Sequence, residues 1–172
     1  CGASHGGKGA PRQPVDRASP PVEAPSGEIA GEYAVRWDPE SGSLFVDARL
    51  GPRAGGDLRG EGGESFVRDA EASEDRDGAR FVPLMRGEGG FVAIPCAHAA
   101  CRLRYRFALR DAAASLDDVD QATLEDGIVE ATPPTFLLAP VSAARPAKLR
   151  FRVSCPPGSR FVTGVFPSPE AK

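Results

Sequence analysis

The densest gathering of reactive side chains is Cys96-Ala97-His98-Ala99-Ala100-Cys101, two thiols and an imidazole within six residues. A structural zinc site needs four ligands, usually with a second closely spaced pair. The other candidates are Cys155, His5 and scattered carboxylates, all remote in sequence. Two cysteines flanking four residues at a turn lie close enough to bridge if the neighbouring strands pair there. In an oxidising compartment that bridge is the simpler state. The expectation is a Cys96–Cys101 disulfide, with free thiols and a metal site as the alternatives and no metal ligands assigned. With Cys1 set aside, three cysteines remain, so one is unpaired or paired between chains; Cys155 is that one, or it bridges Cys96 or Cys101 instead.

Other constellations carry less. Asp117, Asp118, Asp120, Glu125 and Asp126 form an acidic run. It lacks the glycine and the terminal Glu of an EF-hand loop, so a solvated acidic loop is expected. The chain has no His-Glu-x-x-His, no Gly-x-Ser-x-Gly, no Gly-x-Gly-x-x-Gly and no phosphate-binding Gly-Lys-Ser/Thr. A nucleophile activated by histidine would have to use His98, because His5 is the only other one. The reading is a non-catalytic chain with no catalytic residue and no cofactor.

Five arginines, Arg102, Arg104, Arg106, Arg150 and Arg152, alternate with apolar residues in two segments. Such a face could grip anionic lipid headgroups, but the formal charge of −3 favours the solvated side of a sheet, with Asp and Glu as neighbours. The same acidic balance argues against nucleic acid as a partner, since that binding draws on excess Lys and Arg to release counterions.

The elements that would position these residues begin after a long polar lead. Residues 1–30 contain no aromatic and only Val15, Val22 and Ile29 as larger aliphatics, among many Gly, Pro, Ala and Ser. Such a segment buries too little apolar surface to offset its ordering entropy, so a disordered tether is expected. Cys1-Gly2-Ala3-Ser4 resembles the mature front of a bacterial lipoprotein. That resemblance implies acylation of Cys1, a membrane as partner through that anchor, and residence in the bacterial cell envelope as an outer-membrane or periplasmic lipoprotein.

From residue 31 to 172 one β-sandwich domain is expected, all-β and antiparallel, with at most one short helix; an open barrel is the alternative. Tyr33, Val35 and Trp37 alternate with polar neighbours, and Asp38 to Gly42 is a turn by composition. Ser43 to Leu50 completes a hairpin. Gly51 to Glu64 reads as a polar, Gly-rich stretch, and Arg68 to Gly78 as an exposed loop or hairpin tip. Short apolar runs recur at Phe66-Val67, Phe81 to Met85 and Phe91 to Ile94. Cys101, Leu103, Tyr105, Phe107 and Leu109 share one face of the clearest strand, and Leu149, Phe151 and Val153 share one of another. Asp111 is expected to cap a helix with Ala112, Ala113, Leu116 and Val119 along one side. Phe161 to Phe166 supplies a last strand.

Four phrases resemble the N-terminal domain of PDZ-containing glycyl aminopeptidases of the gluzincin type: Glu32 to Trp37, Cys101 to Leu109, Thr135 to Pro140, and Arg160 to Gly164. The resemblance implies an all-β accessory domain ahead of a zinc peptidase domain. No residue of that zinc site has a counterpart here. The expected function is substrate positioning in an aminopeptidase-like envelope protein. The alternative is a stand-alone envelope lipoprotein that binds a protein or peptide partner.

Overall fold

The computed structural model describes residues 29–52, 54–74, 80–116, 122–125, 128–141 and 148–158. Residues 1–28 of the expected tether, its Cys1 anchor and the strand at Phe161 to Phe166 lie outside these residues. Ile29 and Ala30, expected in the tether, already belong to the first strand, because that strand pairs with its neighbours. Twelve strands are described: β1 Ile29–Asp38, β2 Ser43–Leu50, β3 Asp57–Arg59, β4 Val67–Glu74, β5 Val82–Pro83, β6 Met85–Gly87, β7 Gly90–Val92, β8 Cys101–Phe107, β9 Ala122–Glu125, β10 Ile128–Ala131, β11 Ala139–Pro140 and β12 Lys148–Ser154. Two short helices accompany them, α1 Leu109–Ser115 and α2 Pro133–Phe136, with 3-10 turns at Glu64–Phe66 and Ile94–Cys96.

The all-β sandwich expected from the alternation is what the chain forms. Its larger sheet runs β12-β1-β2-β8-β4-β5 and its smaller one β11-β3-β7-β6, with β9 and β10 pairing as a separate ribbon. Every pairing among the described strands is antiparallel except β1 with β12. A parallel neighbour needs a long crossover, and more than a hundred residues separate these two strands.

Period-two alternation sorts the side chains of the larger sheet. Tyr33, Val35, Val46, Ala48, Leu103, Tyr105 and Phe107 all point inward and are buried. They share one core with Leu58 and Phe91 from the smaller sheet and with Leu109, Phe136, Leu137 and Leu138. Leu50, Leu58, Leu103, Phe107, Leu109 and Leu138 are the largest apolar side chains sealed there. Burial of each such side chain stabilises by about 1.5–3 kcal/mol.

The segment from α2 into β11 crosses this interior, and two tyrosines complete its backbone hydrogen bonding. The Tyr105 hydroxyl donates to the Phe136 carbonyl at 2.8 Å and accepts from the Leu138 amide at 3.0 Å. The Tyr33 hydroxyl donates to the Leu138 carbonyl at 2.8 Å. Residues 137 and 138 belong to no ladder, and buried peptide groups without partners are costly. The phenols supply what a neighbouring strand would. Burial pushes both of them well above the ordinary tyrosine range; at Tyr105 the Leu138 amide works against that and a Tyr33 charge would add to it.

Two glycines meet specific demands. Gly42 has φ +63 in the β1–β2 turn, where its carbonyl accepts from the Arg110 amide at the start of α1. A Cβ on Gly63 would collide with the Thr135 carbonyl, so glycine there lets α2 settle on the loop before β4.

Local details depart from expectation. Helix α1 begins at Leu109 with Ala108 as its N-cap, so Asp111 sits in the first turn rather than at the cap. A carboxylate there favours the helix through its dipole instead. Val119 lies outside the described residues. The interval Arg68 to Gly78, expected to be an exposed loop or hairpin tip, is strand through Glu74, with Ala72 and Ser73 buried and β4 paired antiparallel with β5 beyond it; residues 75–79 lie outside those described. Pairing with β8 overrides its charged composition.

Candidate binding surface

Cys96 and Cys101 are joined in a disulfide with Cα atoms 5.1 Å apart, and both residues are fully buried. The flanking strands do not pair with each other. β7 belongs to the smaller sheet and β8 to the larger, so the bridge fastens the crossover between sheets rather than a hairpin. His98 is exposed beside it. With both sulfurs bonded to each other, Cys96 and Cys101 cannot supply thiolates to a metal, and His98 is left without them as co-ligands. Cys155, partly buried after β12, is free, which closes the alternative pairings with Cys96 and Cys101. Of the acidic run, Asp117, Asp118, Asp120 and Asp126 lie outside the described residues. Among those described, no cluster of three or more His, Cys, Asp or Glu side chains is arranged to hold a metal ion.

The most distinctive chemistry is on the outer face of the larger sheet. The register builds three rows across β12, β1, β2, β8 and β4. The first holds Arg150, Glu32, Arg49, Arg102 and Ser73; the second Arg152, Ala34, Asp47, Arg104 and Glu71; the third Ser154, Arg36, Phe45, Arg106 and Arg68. The five arginines expected on a wet face are therefore brought together, and β1, β2 and β4 add Arg36, Arg49 and Arg68. These eight face Glu32, Asp47, Glu71 and the bulge residue Asp69, a local excess of four positive charges on a chain whose formal charge is −3. The acidic balance of the whole chain conceals this patch.

Part of the charge is engaged. Arg104 pairs with Glu71 at 2.6 Å, Arg106 with Asp69 at 3.3 Å and Arg150 with Glu32 at 3.2 Å. Asp69 reaches Arg106 from a bulge in β4, where its own φ is +53. These pairs are solvent-exposed and hold little stability, about 0–1 kcal/mol each. Arg36 lies 4.4 Å from the centre of the Phe45 ring and Arg104 lies 3.9 Å from that of Phe81. Arg68 donates to the carbonyls of Ser65 and Val67.

Arg49, Arg102 and Arg152 have no ion pair or side-chain hydrogen bond among the described residues. Arg49 stands directly opposite Arg102 in the ladder, and Arg68 opposite Arg106. Like charges in facing positions oppose sheet formation by roughly 0.2–1 kcal/mol. In the row of Arg49 and Arg102, Ser73 is buried, and its hydroxyl is the one buried side-chain polar atom without a partner among the described residues.

One concave site is lined wholly by described residues. A groove of about 110 Å³ lies beside the smaller sheet, lined by Arg59, Glu88, Phe91 and Val141 among others. Pockets for small organic ligands run to about 300–1,000 Å³, so this groove suits solvent or a single side chain. Comparison of the chain with protein-family models, with curated proteins and with solved structures gives no match in any of the three.

Proposed function

We propose that this chain is the folded, non-catalytic part of a bacterial envelope lipoprotein, a β-sandwich that works by presenting a surface. The observation that carries the reading is the sealed Cys96–Cys101 disulfide between the two sheets. Disulfides of this structural kind persist outside the reducing cytosol. A core closed by side chains from both sheets leaves the outer faces and edges as the places where a partner is met. Attachment through an acylated Cys1 belongs to the same proposal, as does a role as accessory or positioning domain of an aminopeptidase-like protein. In the second reading the chain is a stand-alone lipoprotein that binds a protein or peptide. The outer edge of β12, unpaired among the described residues, favours that reading because an extended peptide can add there.

Fractionation of the producing cell tests the compartment. The protein is expected in the envelope, incorporating labelled fatty acid, and a Cys1→Ser variant is expected in soluble form. A protein found in the cytosol with no label at Cys1 contradicts the proposal. The two readings separate in the gene: a frame running on from Lys172 into a His-Glu-x-x-His helix supports the accessory domain, and a stop codon there leaves the stand-alone lipoprotein.

A further inference from the structure

We infer that the arginine-bearing face of the larger sheet docks on a phosphate-bearing anionic lipid surface. It deepens the proposed function, on which it rests only for bringing a membrane within reach. Charge complementarity carries it. Eight arginines and four carboxylates share three rows, and Arg49, Arg102 and Arg152 have no acidic partner among the described residues. Two like-charged pairs face each other directly, an arrangement that an external anion relieves. Arginine is suited to this, since its planar fork can engage two phosphate oxygens at once.

The shape selects among anions. Five strands spaced about 4.8 Å apart and three rows about 7 Å apart make a charged field roughly 20 by 14 Å. A field extended in two directions matches an array of headgroups, whereas a linear polyanion is tracked by a stripe or a groove. The aromatic rings nearest the field, Phe45 and Phe81, each lie under an arginine and are not free to stack on bases. A lipid surface is therefore favoured over nucleic acid.

The test uses the full chain carrying Cys1→Ser, so that no acyl chain contributes, with phosphatidylcholine vesicles made with and without phosphatidylglycerol. Sedimentation is expected only with the anionic vesicles and is expected to reverse as salt is raised. Each arginine held near an anionic surface contributes about five-fold in affinity, so R49Q/R102Q/R152Q should weaken binding on the order of a hundred-fold. Circular dichroism of that variant checks that it remains folded. A control lacking Arg59 and Arg86 of the smaller sheet should bind as the parent does. Absence of vesicle binding overturns the inference, as does equal loss in both variants. Binding to soluble polyphosphate without vesicle binding overturns the lipid assignment in favour of a polyanionic chain. None of these results depends on export or acylation, so failure here and failure of the fractionation test are separate outcomes.

Discussion

Replacing Tyr105 by Phe removes a single oxygen from the centre of the sandwich and leaves the ring packing in place. That oxygen is tied at both ends, donating to Phe136 and accepting from Leu138. Its loss strands a buried amide and a buried carbonyl, each at a cost of about 1–3 kcal/mol. The sum expected for Tyr105→Phe is roughly 2–4 kcal/mol, with the upper part damped by local relaxation. Tyr33→Phe strands only the Leu138 carbonyl and should cost about 1–2 kcal/mol. Both hydroxyls hold the same residue, so the double variant should lose less than the two single effects added together. Urea unfolding provides the readout. The midpoint should fall at an unchanged slope, and the melting temperature should drop by about 8–16 °C for Tyr105→Phe. A Tyr105→Phe variant within about 0.5 kcal/mol of the parent, or one more stable than Tyr33→Phe, refutes the argument that these phenols substitute for a strand.

Tyr33 and Tyr105 are the only tyrosines, so alkaline titration reads this site directly. Both have raised folded-state pKa values, so their contribution is complete below the unfolded value near 10 and is lost as pH rises beyond it. Phenolate absorbance should stay flat through pH 10 while the fold persists and then rise together with unfolding; titration at the ordinary value in folded protein contradicts the burial. Cys96→Ala with Cys101→Ala should cost about 2 kcal/mol from the short closed loop, measured by denaturant titration against the oxidised parent. Gly63→Ala should cost about 1–3 kcal/mol by forcing the Thr135 backbone away, and thermal melting would show it; a neutral outcome means that α2 is free to shift.

Where burial on one face is strong, the residues themselves declared the structure. β1, β2 and β8 alternate cleanly, and their register follows from which side chains must go inward. In the smaller sheet, whose strands are only two or three residues long, the apolar run at Phe91 to Ile94 marks β7, while β3 and β11 stay hidden. Leu58 is the sole large apolar residue of β3, inside a stretch that reads as a polar loop. In β12, Leu149, Phe151 and Val153 alternate as expected but stay partly exposed, because the strand lies at the sheet edge. Its parallel pairing with β1 is a long-range choice that no local pattern records. The same limit applies to the arginine face. Alternation marked five of its arginines, while Arg36, Arg49 and Arg68 join them only once strands distant in sequence are laid side by side. Net charge does not report such a local excess, because it sums over all surfaces at once, although the acidic neighbours it led one to expect are present as Glu71, Asp69 and Glu32.

The disulfide bears most directly on the claim that this is a domain built for the cell envelope. Protein taken from its own cells is alkylated without reductant, digested and weighed peptide by peptide. The expected map joins Cys96 to Cys101 in a single cross-linked fragment and leaves Cys155 modified as a free thiol. Alkylated Cys96 and Cys101 in folded native protein would contradict both the compartment and the way the two sheets are fastened.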